Sequence, residues 1–352
     1  TVTTFHQVAC LSAVMFVKNI KNGSAKISRI FDVVAKSAGR SVVMSAFSVL
    51  TPLAQLTLAS VGPTHDELLR VIGLPDDNVI TEVFSGLHDD LQAVKGVELR
   101  SASRIYIPTG NELDEKFAAF SLKAFNTDAK NVDFNNKIVT AKEINTWVEK
   151  ATNNRIKNLV NAEAIAPDTK ALLVNAIYFK GKWANQFEKK LTTSRDFHVT
   201  KDNKIQVPTM HRQGKYPYTE SAELDAKLLV IPYQHNEASF VVALPNKVDG
   251  IATLLKKLKD PTTLTNATQS LLEYDVDVFL PSFKIETQID LKDVLINVSM
   301  KVTYGLQKLV KNSKNIYISG ATQKAFIEVN EEGTEAAAIN GKNVFENALP
   351  ES

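Results

Sequence analysis

Residues 171–180 read ALLVNAIYFK, an almost unbroken apolar run of strand length. A strand without a polar face has nothing to offer water, so it points to a sheet covered on both faces. What precedes it is mostly helical. Ile27, Ile30, Phe31 and Val34 recur at helical spacing, with Gly39 as the stop. Further helices are expected over 49–60, with Pro52 in the first turn, over 64–72, and over 78–93 with Asp77 as the cap. Residues 112–125 and 142–152 also read as helices, while 99–107 alternates as a strand. Past Asp168 strands take over, at 196–199, 205–208, 228–232, 239–244, 274–280 and 324–330, interrupted by one helix over 250–258. Helices first and strands later argue an α+β fold with long-range pairing between the halves. No repeat or Pro/Gly/Ser-rich linker divides residues 1–352, so a single domain is expected, with 1–24 an N-terminal segment of open role.

Composition narrows the function classes. At 44% hydrophobic and 23% charged residues, the chain can bury a sizeable core. A net charge of +2 gives no electrostatic case for nucleic acid or an anionic membrane. The lone cysteine, Cys10, rules out an internal disulfide framework and a thiolate-only metal site. The apolar run 8–17 is too short to span a bilayer and lacks the flanks of a signal peptide, so the chain reads as a mature soluble product. The sequons at Asn22, Asn266 and Asn297 permit glycosylation in a secreted protein.

No catalytic signature is present: no G-x-S-x-G, H-E-x-x-H, Walker A loop or G-x-G-x-x-G. The six histidines are scattered without an i, i+4 pair and read as surface or packing residues. The adjacent carboxylates Asp89–Asp90 and Glu331–Glu332 and the basic clusters Lys256, Lys257, Lys259 and Arg155, Lys157 read as solvated faces. No metal and no cofactor are expected.

The informative stretch is 324–340, KAFIEVNEEGTEAAAIN. It begins as an alternating strand and passes through an acidic turn and Gly333 into small residues. At period two, Thr334, Ala336, Ala338 and Asn340 share one face, and Glu335, Ala337 and Ile339 the other. The first face is small enough to slide between two existing strands over a packed core, with the charge carried outward. It is a strand held in reserve.

Several ordered stretches resemble the serpin family of protease inhibitors. They include Ser45-Ala-Phe-Ser48 with Pro52-Leu-Ala-Gln-Leu56, Ile144-Asn-Thr-Trp-Val-Glu-Lys150, and Val174-Asn-Ala-Ile-Tyr-Phe-Lys-Gly-Lys-Trp183. Val207-Pro-Thr-Met-His211, Ile231-Pro-Tyr233 and Leu280-Pro-Ser-Phe-Lys-Ile285 extend the match, and the hinge stretch agrees almost letter for letter. The resemblance implies a fold of three β-sheets and about eight or nine helices, with residues 331–352 as hinge and reactive loop. It implies that a target serine protease, or a cysteine protease, is trapped as it cleaves the loop and the loop inserts into the main sheet. The nucleophile belongs to the partner. Glu332, Gly333, Thr334, Glu335, Ala336, Ala337 and Ala338 then form the hinge. Ser45, Ser48, Asn145, Asn175 and Gln323 fall at a polar cluster under the opening strands, and Trp183 at the loop's entry point. Each cluster member reads equally well as a satisfied polar core residue.

Four departures stand out. Ala46 replaces a family proline, Gln323 stands where a histidine is common, and Lys342 continues the buried parity of the inserting strand. The sequence also stops at Ser352, before the family's last strands, so it reads as the larger product of loop cleavage with its own C-terminal peptide still bound and the loop inserted. The family's hinge spacing puts the scissile bond at Asn347–Ala348, whereas a cut at Ser352 requires a longer loop. The expectation is a secreted, extracellular monomer that inhibits a protease. A non-inhibitory carrier or chaperone is the alternative.

Overall fold

The computed structural model describes residues 3–5, 41–43, 46–126, 129–290, 306–312 and 316–334. Helices α1 (Ala46–Ala59), α2 (Gly62–Ile72) and α3 (Asp77–Ala93) come first, then strand β2 (Val97–Pro108) and α4 (Glu115–Phe125). The starts of α2, α3 and α4 are chemically marked. Pro63 lies in the first turn of α2, and Gly73 closes it in the left-handed region at φ 80°. Asp76, one residue before the expected cap, accepts from the backbone N–H groups of Asn78 and Val79. Asp77 is thereby free for His65 and Lys308, at 2.7 and 2.9 Å. Asp114 caps α4 in the same way as Asp76 caps α3.

After β3 (Ala129–Val132) and α5 (Lys137–Ala151), the apolar run becomes β4 (Leu172–Lys182). The rest is β5 (Thr193–His198), β6 (Lys204–Ser221), β7 (Ala226–Pro232), β8 (Ser239–Pro245), α6 (Ile251–Lys257), α7 (Pro261–Gln269), β9 (Leu272–Pro281), β10 (Phe283–Asp290), β11 (Gly320–Val329) and the two-residue β12 (Gly333–Thr334). The described strands form two six-stranded sheets. One runs β10-β11-β12-β4-β2-β3. The other runs from β1 (Thr3–Phe5) through β9, β6 and β7 to β8, with β5 added on β6. Three sheets are expected from the resemblance. Here the long β6 pairs with β5 at its start and β7 at its end, and so carries one hydrogen-bond network through both leaves.

The β4 sheet is covered on both faces, as its run demands. Leu173 and Ile177 join a core with α1, α2 and α3, whereas Leu172, Val174 and Ala176 pack with Ile144 and Val148 of α5. Strand alternation assigns the two faces. Among the described residues, no helix is long and apolar enough to cross a membrane.

Candidate functional site

β4 and β11 pair in parallel from Leu172 opposite Gly320 to Tyr178 opposite Phe326. Above that point they part, and β12 enters between them, antiparallel to both. Thr334 stands opposite Gly181 of β4 and Val329 of β11, and Gly333 opposite Lys182. Full insertion of 334–340 is therefore corrected: over most of their length β4 and β11 bond directly to each other, leaving no place for a strand. Among the described residues, the stretch ends with Gly333 and Thr334 in the sheet, and 335–340 lie outside the described residues.

A tight reversal delivers them. The Asn330 side-chain oxygen accepts from the N–H groups of Glu332 and Gly333, and Asn330 N–H donates to the Gly333 carbonyl at 2.9 Å. A Cβ on Gly333 would run into the Gly181 carbonyl and lie 2.8 Å from Lys182 Cα. No side chain fits there.

An aromatic block walls this entry. Trp183 is fully buried and stacks on Tyr233, with centroids 5.0 Å apart and planes within 5°. Phe187 and Phe240 meet it edge-on. Trp183 Nε1 donates to the Asn330 carbonyl at 2.8 Å, and its backbone N–H to the Glu332 carbonyl at 3.0 Å. Phe187 N–H holds the Glu331 carbonyl at 2.9 Å. Thr334 is fully buried, and its hydroxyl lies 2.6 Å from the Tyr233 hydroxyl. Burial pushes the Tyr233 phenol well above its ordinary range, while the Thr334 bond pulls it slightly back. Outside the wall, Thr192 donates to the Glu331 carboxylate at 2.7 Å and Lys189 pairs with Glu332 at 3.0 Å. The hydrogen bond to Glu332, with its charge, raises the Lys189 pKa.

Lower down, a polar row crosses the sheet. Ser103 of β2 stands opposite Asn175 of β4, which stands opposite Gln323 of β11. Ser103 donates to Gln55 of α1 at 2.7 Å. All four are buried, Asn175 and Gln323 completely. Asn175 and Gln323 are thus side by side in this row. Asn145 is not: it lies on α5, across the sheet, where its amide exchanges bonds of 2.8 and 2.9 Å with the backbone of Val160. Its place is taken by Gln55 and Ser103, which the sequence reading missed. Their signal was weak, a polar residue on the apolar face of a helix and another in an alternating strand. Tyr233, Lys189 and Thr192 were missed too, although Ile231-Pro-Tyr233 was among the matching stretches. Ser45, the Ser48 side chain, Glu335, Ala336, Ala337, Ala338, Asn347, Ala348, Ser352, Asn22 and Asn297 lie outside the described residues. Asn266 is exposed on α7.

Among the described residues no group of three or more His, Cys, Asp or Glu side chains could hold a metal ion. His65 and His211 pair with Asp77 and Asp277.

The family model described as "Serpin (serine protease inhibitor)" matches residues 28–352. The chain is 49% identical over 340 residues to "Antitrypsin" of Bombyx mori, covering 95% of this chain and 86% of that one. It is 50% identical over 327 residues to "Antichymotrypsin-2" of the same moth, covering 91% and 87%. Among solved structures, the highly specific serpin Serpin48 of Tenebrio molitor superposes with a TM-score of 0.84 at 31% identity, covering 94% and 91%. With the matching stretches, the closed β4–β11 seam and the hinge at its top, the chain belongs to the serpin family of serine protease inhibitors, and is an inhibitor rather than an enzyme.

Proposed function

We propose that this protein traps a serine protease by letting it cleave the reactive loop, which then inserts between β4 and β11. The observation that carries the reading is Gly333–Thr334, already bonded to both strands with Thr334 buried against Tyr233. A strand begun in register continues more readily than one that must be nucleated, because the loop-closure entropy of its first residues is already met. The energy for distorting the protease is then stored in a sheet that gains pairing only after cleavage, and a kinetic barrier holds it until then. The cleaved, inserted state is the product of this reaction, and the direct β4–β11 pairing speaks against reading it as the state described here.

Glu332–Ala338 serve as the hinge, Trp183 and Tyr233 as its wall, and Asn175 and Gln323 as part of the seam that must part. Asn347–Ala348 is the candidate scissile bond, with Ser352 a more distal one. The two moth relatives carry names that point to different proteases. Phe345 and Leu349 in the loop suit a chymotrypsin-, elastase- or cathepsin-like target. Secretion as a glycosylated monomer completes the reading, with Asn266 exposed for a glycan. The non-inhibitory alternative draws on Lys342, a charge on the inserting face.

Incubation with a panel of such proteases tests the reading. An SDS-stable complex with one of them is the expected result. Clean cleavage by every member, with no complex, would favour the carrier.

A further inference from the structure

Residues 184–186, between β4 and β5, are exposed and belong to no helix or strand. With their neighbours Trp183 and Phe187 they form a strap whose N–H groups hold the Glu332 and Glu331 carbonyls. An irregular, exposed strap is expensive to fix in one conformation, so it needs ties of its own. One runs from Ala184 N–H to the Pro232 carbonyl at 2.9 Å. The other comes from β6, where Arg212 Nη1 donates to the Gln186 backbone carbonyl at 2.9 Å. Arg212, Gly214 and Tyr216 share one face of β6, since side chains alternate along a strand. Tyr216 is 2% exposed, in the core that also holds Trp183 and Phe187. A Cβ on Gly214 would lie 3.3 Å from the Tyr216 ring and 3.9 Å from its hydroxyl. The glycine thus keeps open the space along which the phenol lies toward Arg212. Burial raises the Tyr216 pKa, and the Arg212 charge beside the hydroxyl pulls it partly back.

We propose that Arg212 is a positioning residue for inhibition: it ties the strap 183–187 to β6 and so keeps the strap's donors on the hinge carbonyls of Glu331 and Glu332. The inference rests on the reading of Glu332–Ala338 as the hinge. Arg212 touches none of the hinge residues and acts on them only through the strap. A guanidinium suits this place because its planar fork presents donors along two edges at once, one toward the Gln186 carbonyl and one toward the phenol. A lysine ammonium at the end of a flexible stem would keep the charge but not the fixed direction. The same charge reaches the next strap residue. Glu188 has its pKa lowered chiefly by the hydrogen bond from Lys190, and in smaller part by Arg212. Without the tie, Gln186 is free to move, and Phe187 N–H leaves the Glu331 carbonyl more often. The hinge then begins from a looser register.

The test compares Arg212→Met, Arg212→Lys and Tyr216→Phe with the unaltered protein, by amide hydrogen exchange and by titration against a protease that the unaltered protein traps. Arg212→Met should speed exchange at 183–187 and 330–334 by about threefold to tenfold, the net effect of one lost hydrogen bond, and leave α2 and α3 unchanged. It should also raise the stoichiometry of inhibition. Arg212→Lys should recover part of both effects. Tyr216→Phe keeps the ring in the core and should show a weaker form of the same change. Where Arg212→Met does not fold, the other two variants carry the same readouts. Exchange at 330–334 no faster than in the unaltered protein, or faster to the same degree throughout the β6–β9 sheet, would overturn the proposal. Faster exchange at 330–334 with an unchanged stoichiometry would overturn it too. An unaltered protein that traps no protease would instead overturn the hinge reading, and the role in inhibition with it.

Discussion

At the scale of single residues, the hinge is held by Gly333, Tyr233 and Lys189, each for a different reason. Gly333 is there because backbone approaches backbone: any Cβ meets Gly181 and Lys182 of β4. Gly333→Ala should therefore lever Thr334 out of the sheet and raise the stoichiometry of inhibition, read by titration against a trapped protease. Tyr233→Phe keeps the stack on Trp183 and removes only the hydroxyl 2.6 Å from Thr334. It should cost the intact protein about 1–2 kcal/mol, seen as a lower denaturation midpoint, because the Thr334 hydroxyl stays buried without that partner. Lys189 is different because its pair with Glu332 is exposed to solvent and screened by salt. Its raised pKa means the pair stabilises the fold below the ordinary lysine value of 10.5 and fades as pH rises past the folded value. The Lys189→Met variant should thus differ from the parent in hinge behaviour at low salt and neutral pH, and converge with it in high salt.

At the scale of elements, the proposed trapping makes the seam between β4 and β11 the moving part and the Gln55–Ser103–Asn175–Gln323 row what it must rearrange. Ser103→Ala removes the donor to the buried Gln55 carbonyl and should destabilise the intact state by about 1–3 kcal/mol in chemical denaturation. Much of this architecture could be read in advance, wherever apolar periodicity was strong. The burial of β4 on both faces and the positions of α2, α3, β2, β7 and β8 follow from the pattern. The reading lost β6 after Pro208, because Pro208, Gly214 and Pro217 look like breakers in a strand that in fact runs on to Ser221. It lost α7, whose Thr-rich sequence has little apolar stripe and whose signals were Asp260 and Pro261 at its start. β3 was too short for periodicity to register. The parity of 324–340 placed Thr334 on the buried face correctly, since side chains alternate whatever the sheet around them. How far the strand had entered was beyond the sequence, because the closed and inserted states satisfy the same parity. The company of Asn145 was likewise beyond it: a polar residue on a helix does not say which face of a sheet the helix will cover.

At the scale of the whole molecule, the proposed trapping requires one sequence to satisfy two sheets, the one described here and one with an added strand. The hinge register extends that requirement to Lys342, which would land between Leu173 and Ala321, 0% and 3% exposed. A lysine there must thread its stem outward or slow the last step of insertion, because burying an unpaired ammonium is prohibitive. Lys342→Ala should accelerate insertion and lower the stoichiometry of inhibition; identical values for both would show that the strand stops short of that row. The central claim is that cleavage turns the reserve strand into a sheet strand and releases stored conformational energy. The most direct measurement is the melting midpoint of the protein before and after a single cut in the reactive loop. A midpoint well above that of the intact protein is the result expected here, and a midpoint that stays the same or falls, as for a nick in an ordinary surface loop, would contradict it.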